Sequence, residues 1–191
     1  EQCSGFTLLH GECVAIGMAV ITRAAVKKGF CAQETLDAVE KILKKKVMVL
    51  GPGIKTGLNI LMDNPGQLGA DLVADAVAAS NNYPAPLIVI DMGTATTVSV
   101  LNDKKQYIGG MILPGVGLSL DALTSRASQL GGIGIEAPKH LIGKNTTECM
   151  KSGIIYSSAA SLDGIVERIE EELGTEATVV ATGGLAKKII P

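Results

Sequence analysis

The sequence predicts an α/β fold, and three features of its pattern support that class. The run PLIVI at residues 86–90 is apolar throughout, which is typical of a buried strand. Two more strand patterns follow it, TTVSVLN at 96–102 and YIGGMIL at 107–113. A last strand, ATVVATGG at 177–184, comes after a long stretch of helical periodicity. Strands and helices that alternate in this way indicate an α/β domain.

Three helices are predicted within the same part of the chain. The small residues after NPGQ predict a helix over about 69–80, and the residues after PGVG predict a second over about 118–129. A loop that begins with IGKNTT at residue 142 leads into a long amphipathic helix. These helices connect the predicted strands, as the α/β class requires.

The N-terminal part of the chain has the pattern of a helical hairpin instead. Residues 11–29 repeat apolar side chains at helical spacing, and Gly29 closes this helix as a C-cap. A second helix is predicted over about 35–46, where the final lysines suit the negative end of the helix dipole. We therefore place a domain boundary near residue 46, between a helical segment, 1–46, and an α/β segment, 47–191.

Composition narrows the classes of function. Apolar residues make up 47% of the 191 residues and charged residues 19%, so a globular fold is expected. The net charge is −2 without a basic stripe, which argues against nucleic-acid binding. No apolar run reaches the roughly 18 residues of a membrane span, and the four cysteines form no CxxC pair. We expect reduced thiols and a cytoplasmic protein, and, because the chain begins with Glu, a fragment or processed chain.

The stretch DMGTATT at residues 91–97 is the first candidate site. The Asp91 carboxylate follows a buried strand, where it is costly unless it meets a cation, hydrogen-bond donors or water. Gly93 allows a ligand to approach the backbone, and a tight turn of this kind can cradle a phosphate. The same residues also fit an ordinary capped hairpin turn. The available hydroxyls are those of Thr94, Thr96 and Thr97.

Three further stretches could contact a ligand, and each also fits a plain structural role. ATGG at 181–184 ends a strand on two glycines, so a flat group such as a nucleobase could lie on the backbone, or the turn could be an ordinary one. GAD at 69–71 places a carboxylate at a helix N-terminus, either as a general base or only as a partner of the dipole. GKNT at 143–146 offers a cation, an amide and a hydroxyl, as many solvated loops do.

The order and spacing of these stretches closely resemble the type III pantothenate kinases, a family of the actin-like, acetate and sugar kinase superfamily. The resemblance covers residues 51–190 and implies a ribonuclease H-like second domain of that superfamily. It also implies ATP-dependent phosphorylation of pantothenate, the first step of coenzyme A biosynthesis. The matching stretches are GPGIKTGL, DNPGQLGAD, DMGTATT, GGMILPGV, IGKNTTECMKSG and VVATGGLA.

The resemblance assigns the substrate side of the site. Asp71 matches the proton acceptor, which takes the proton of a primary hydroxyl of pantothenate as that hydroxyl attacks the γ-phosphate of ATP. Gly69 and Ala70 belong with Asp71 to the substrate loop, and Thr146 matches a substrate contact. The family is dimeric, with its substrate site near the dimer interface, so a homodimer is expected.

The resemblance also assigns the nucleotide side. Asp91 matches a ligand of a monovalent cation, potassium or ammonium, and Thr94 matches an ATP contact. Gly183 and Gly184 match the loop on the adenosine side. Magnesium is expected to accompany ATP.

The chain departs from the family pattern in several places. Leu72 stands where the family commonly has Arg, and Met62 where it commonly has Tyr. The N-terminal strand with its DxGNT-type turn, which forms the first phosphate loop of the family, is not found in this sequence. We therefore expect weak or no turnover. A non-catalytic α/β module or a remnant of a gene fusion is the alternative.

Residues 1–46 resemble a different enzyme, the C-terminal domain of 3-dehydroquinate synthase, through LLHGECVAIGM at 8–18. By this resemblance His10 matches one zinc ligand, although a lone histidine before a helix is more often a cap or a surface group. Catalytic zinc needs about three protein ligands, and the family's others do not occur here. We therefore expect a vestigial site without synthase activity. Whether the join near KKKVM is natural or artificial stays open.

Overall fold

The computed structural model describes residues 22, 25–43, 55–127 and 130–190 of the chain. The chain divides by its internal contacts into two units, residues 1–51 and 52–191. The boundary predicted near residue 46 lies outside the described residues. The two units are therefore taken one at a time.

In the first unit the described residues include one complete helix, α1, Gln33–Leu43. It begins two residues before the helix predicted from the sequence, whose last residues lie outside the described part. Before it, the predicted cap at Gly29 is confirmed: Gly29 has a left-handed φ of 73°, and the Phe30 amide donates to the Ala25 carbonyl at 2.8 Å. The rest of the predicted first helix, including its apolar face, lies outside the described residues, so the hairpin stays a prediction.

The second unit contains a four-stranded mixed sheet, and the predicted α/β class is confirmed. Its strands lie in the order β3-β2-β1-β4. The first three form an antiparallel meander, and β4 pairs parallel to β1. Each overlaps a segment that the sequence predicts as a strand, and the ends differ by at most two residues. They are β1 Leu87–Met92, β2 Ala95–Leu101, β3 Tyr107–Pro114 and β4 Thr178–Thr182.

Four helices and one 3-10 turn, Pro65–Gln67, accompany this sheet among the described residues. The helix predicted over 118–129 is displaced toward the N-terminus, because the chain becomes helical at once after Gly115 and is extended again at Ala127. The long helix begins beyond Asn145, whose side chain accepts a hydrogen bond from the Glu148 amide, and ends at Gly174. The helices are α2 Ala70–Asn82, α3 Val116–Arg126, α4 Thr146–Leu173 and α5 Ala186–Ile189.

Helices cover both faces of the sheet. Leu87 and Val89 point to the face covered by α2, the α2 face, where they pack with Ala76 and Ala79. The alternate residues of β1 point to the opposite face, the α4 face, where α3, α4 and α5 cover them. A strand buried on both sides needs apolar side chains at every position. This explains the uninterrupted LIVI sequence of β1.

The alternation of β1 also determines where its last residues point. Asp91 lies two residues beyond Val89 and therefore projects from the α2 face, whereas Met92 belongs to the apolar core of the α4 face. Asp91 thus lies on the face that carries helix α2. Among the described helices, none has the length and apolar character needed to cross a membrane.

Candidate functional site

Three carboxylates, which we call the acidic cluster, lie near one another where β1 ends beside α2. Asp71 lies in the first turn of α2, Asp75 lies one turn later, and Asp91 projects from β1. Burial raises the pKa of the Asp75 carboxyl, and the negative charges of Asp91 and Asp71 raise it further. The structure therefore brings together two residues that the sequence placed in the site, Asp71 and Asp91.

Asp75 is a member of this cluster that the sequence analysis missed. The spacing could have identified it. Residues four apart lie on the same side of a helix, and Asp75 follows Asp71 by four positions. What the sequence alone did not give was the direction of that side of α2. It faces the end of β1, which requires the packing of Ala76 and Ala79 on the sheet.

Asp91 lies between two threonines in a row across the sheet. In the strand register its partner on β2 is Thr97, and its partner on β4 is Thr182. Side chains of such partners leave the sheet on the same face, with Cβ atoms about 4.5–5.5 Å apart in an antiparallel pair. The Thr97 Oγ1 is buried, and within the described part of the chain it is the one buried side-chain oxygen or nitrogen without a hydrogen-bond partner. The side chains of Thr97 and Thr182 thus lie on either side of Asp91 on the same face of the sheet.

The turn between β1 and β2 consists of Gly93 and Thr94, both exposed. The Gly93 amide donates to the Ala95 carbonyl at 3.0 Å, which keeps the turn tight. A side chain at Gly115 would lie 2.8 Å from the Gly93 carbonyl, so the start of α3 packs directly against this turn. The turn is thereby held in place while Thr94 stays accessible to a ligand.

The glycine pair after β4 has two different roles in the structure. Gly183 has a φ of 96°, and a Cβ atom there would approach Asp91 Oδ1 and the Met92 backbone to 2.6 Å. It is therefore required for the close approach of β4 to β1. A Cβ atom on Gly184 would meet nothing within 4 Å. Open space of this kind above the backbone is what a flat ligand needs.

The loop before α2 brings the Asp71 carboxylate back over the helix start. Gly69 is the N-cap residue without a side-chain cap, and a Cβ atom there would overlap Asp71 Oδ1. The carboxylate thus lies near the positive end of the helix dipole. Ala70 and Asp71 are both exposed, so a substrate hydroxyl can reach this carboxylate.

The remaining predicted residues lie elsewhere or outside the described part. Thr146 is the exposed first residue of α4, and the contacts that assemble the acidic cluster do not include it. Met62 packs against the apolar core of the α2 face, and Leu72 is half-buried. His10, the predicted vestigial zinc ligand, lies outside the described residues.

The polar side-chain atoms around Asp91 are carboxylate and hydroxyl oxygens. Within the described ranges there is no group of three or more His, Cys, Asp or Glu side chains that could hold a metal ion. Carboxylate and hydroxyl oxygens are ligands for hard cations.

A family model and a curated relative both match this chain to the same family. The family model of type III pantothenate kinase matches residues 15–168. A curated type III pantothenate kinase from Bacillus cytotoxicus is 51% identical over 150 residues, which are 78% of this chain and 57% of that protein. The chain therefore spans little more than half of the length of this relative. The family match includes most of residues 1–46, and the resemblance of that segment to 3-dehydroquinate synthase stays a prediction.

Two solved structures align with the chain at lower similarity. A conserved Baf family transcriptional activator from Campylobacter jejuni aligns with a TM-score of 0.42 and 19% identity, over 69% of this chain and 56% of that one. The activator of the 2-hydroxyisocaproyl-CoA dehydratase from Clostridium difficile, with bound ADPNP, aligns with a TM-score of 0.38 and 17% identity, over 60% and 51%. The family model is the stronger finding, since it covers most of the sequence: the chain belongs to the type III pantothenate kinase family.

Proposed function

We propose that this chain binds ATP and pantothenate and carries the residues that transfer the γ-phosphoryl group to pantothenate. The observation that supports this most is that Asp71 and Asp91 both lie near Asp75, while the Asp91 carboxylate lies next to Gly183 and near Gly93. Membership of the type III pantothenate kinase family supports the choice of substrate. The reaction is the first step of coenzyme A biosynthesis.

Asp71 is the proposed proton acceptor. The primary hydroxyl oxygen of pantothenate attacks the γ-phosphorus, the bond from phosphorus to the ADP oxygen breaks, and the hydroxyl proton passes to the Asp71 carboxylate. Its exposure leaves room for the hydroxyl. Gly69 and Ala70, which precede it, line the same substrate loop. Such catalysis depends mainly on positioning and on charge stabilisation.

The nucleotide side requires compensation of negative charge. Asp71, Asp75 and Asp91 would repel a triphosphate, and a monovalent cation held at Asp91, potassium or ammonium, offsets that repulsion. The Gly93–Thr94 turn offers its backbone and a hydroxyl to the phosphates, with magnesium accompanying ATP. The open space above Gly184, next to Gly183, accommodates the adenosine.

Thr146 and a homodimer complete the proposal. Thr146 is exposed at the N-terminus of α4, where its hydroxyl can contact pantothenate. Large apolar side chains are exposed on α3 and β3, including Leu118 at 53% and Ile112 at 77%. Exposed apolar surface of this kind supports self-association. Size-exclusion chromatography with light scattering tests it, and a monomer at all concentrations would contradict the dimer.

A thermal-shift titration tests the binding function. Ligands that bind the folded state raise the melting temperature by mass action. We expect ATP with magnesium to raise it in potassium chloride, and Asp91→Asn to reduce that shift. The control, Asp163→Asn, alters an exposed carboxylate of α4. No shift with ATP or pantothenate, in potassium or in choline chloride, would leave a non-catalytic module as the function, and dimerisation without ligand binding would favour it.

A further inference from the structure

The Thr97 side chain carries a buried hydroxyl. Its Oγ1 is buried and accepts or donates no hydrogen bond within the described residues. Buried polar side chains are nearly always paired, and an unpaired one commonly marks a bound water or ion. Valine has the same shape and no hydroxyl. The hydroxyl therefore points to something that binds beside it.

Thr97 lies beside Asp91 in the sheet. It is the register partner of Asp91 in the antiparallel pair of β1 and β2, so the two side chains leave the α2 face side by side. The adjacent Thr96 points to the opposite face, as the register partner of Met92. Thr96 thus shares the chemistry of Thr97 without sharing its surroundings.

The charge at this place selects among the possible partners of the hydroxyl. A phosphate oxygen would approach it against the carboxylates of Asp91, Asp75 and Asp71. A cation is attracted by the same carboxylates, and a hydroxyl oxygen is a suitable ligand for a hard cation. A cation at this position would give the buried oxygen its missing partner.

We propose that Thr97 supplies, through Oγ1, a second protein oxygen ligand beside the Asp91 carboxylate to the monovalent cation. This rests on the proposed cation-binding role of Asp91. The remaining ligands of the ion are water or substrate oxygens. Thr97 is then a residue that determines cation affinity, and it is distinct from the proton acceptor Asp71.

Potassium binding to the full 191-residue chain tests the proposal without any reference to turnover. The melting temperature is measured over a potassium chloride titration, with choline chloride holding the ionic strength constant, and calorimetry gives the affinity. Both are repeated with a saturating non-hydrolysable ATP analogue. The variants are Thr97→Val and Thr97→Ala, which remove the hydroxyl, and Thr97→Ser, which keeps it. Thr178→Val, on the same face at the far end of β4, is the matched control.

We expect Thr97→Val to bind potassium about tenfold more weakly than the unaltered chain. In choline chloride alone it should melt at the same or a higher temperature, because it no longer buries an unpaired hydroxyl. Thr97→Ser and Thr178→Val should keep the potassium affinity. If Thr97→Val does not fold, Thr97→Ala carries the same expectation.

Three results would overturn the proposal. The first is an unchanged potassium affinity in Thr97→Val or Thr97→Ala, and the second is an equal loss in Thr97→Ser. The third is an absent potassium response in the unaltered chain, with and without the analogue. Failure of the kinase function is distinguishable, because it would show as absent pantothenate binding or turnover while the potassium response remains.

Discussion

Two regions of the second unit differ in whether their polar groups have hydrogen-bond partners. In the acidic cluster, the charges of Asp91 and Asp71 raise the pKa of Asp75, and the neighbouring Thr97 hydroxyl has no hydrogen-bond partner within the described residues. The loop of residues 130–145 that precedes α4, which we call the strap, also carries polar side chains. In the strap, however, Glu136, Lys139 and Asn145 are hydrogen-bonded to residues of α4.

The hydrogen bonds of the strap form a connected set. The Asn145 side chain accepts from the Glu148 amide at 3.0 Å, and the Glu148 carboxylate accepts from the Lys139 amide at 2.9 Å. Lys151 and Glu136 form an ion pair at 2.8 Å. The difference suggests a rule for this molecule: satisfied polar groups hold the scaffold, and unsatisfied ones lie where a ligand binds.

Removing the proposed base should have the largest effect and tests the ligand side of this comparison. Asp71→Asn keeps the size of the side chain and removes the proton acceptor, so the weak turnover expected of the unaltered chain should fall further by about 10²–10⁴-fold, to near the background rate. Melting temperature and ATP affinity should stay close to those of the unaltered chain, because Asp71 is exposed and makes no core contact. ADP release measures the turnover, and thermal shift measures the melting temperature and its response to ATP. Full turnover in Asp71→Asn would show that another group takes the proton.

The glycine pair separates a scaffold role from a ligand role at adjacent positions. Gly183→Ala places a Cβ atom 2.6 Å from the Met92 backbone at a φ of 96°, so the free energy of unfolding should fall by about 2–4 kcal/mol. Gly184→Ala, the matched control, has open space and should leave the stability unchanged. Its ATP affinity should fall instead, if adenosine lies there. Denaturant unfolding and ATP titration measure both, and equal stability losses would remove the distinction.

The strap should respond to substitution as a scaffold. Asn145→Ala removes the N-cap of α4 and should lower the free energy of unfolding by about 1 kcal/mol. Its ATP affinity should not change. Denaturant unfolding with an ATP titration measures both quantities. A variant that keeps its stability and loses ATP affinity would show that the strap, too, is part of the ligand site.

The sequence predicted the strands well because their burial is visible in single residues. A strand covered on both sides must be apolar throughout, so the run PLIVI can be predicted as a strand from its own residues. The start of α3 was predicted less accurately. The helix begins directly after Gly115, which packs against the Gly93 carbonyl, and no local pattern reveals a contact over such a separation.

The residues of the candidate site that could be predicted are those within continuous sequence motifs. Asp71 and Asp91 stand out within GAD and DMGTATT, whose meaning came from the family resemblance. Asp75 and the unpaired hydroxyl of Thr97 were not predicted as a group, because their surroundings combine α2, β1 and β2. Register and helix orientation are properties of the packed fold, and they decide which of several similar threonines lies beside the carboxylate.

Neutralising Asp75 should have the smallest effect and tests whether the acidic cluster is strained when no cation is present. Burial, and then Asp91 and Asp71, raise the pKa of Asp75 above its ordinary value of 3.8, so the folded chain holds this proton more tightly than the unfolded chain. The stability from this group is therefore full below pH 3.8 and is lost as the pH rises through the folded pKa. Asp75→Asn abolishes that loss.

In choline chloride at neutral pH, Asp75→Asn should therefore melt about 1–3 °C above the unaltered chain. The difference should shrink as the pH falls toward 3.8, where Asp75 is protonated in both states. Thermal unfolding across this pH range measures it, with Asp163→Asn as the exposed control. Potassium should narrow the gap at neutral pH, because a cation beside Asp91 relieves the same repulsion. A destabilised Asp75→Asn would instead make its carboxylate a structural partner, and the contrast between cluster and strap would not hold at that residue.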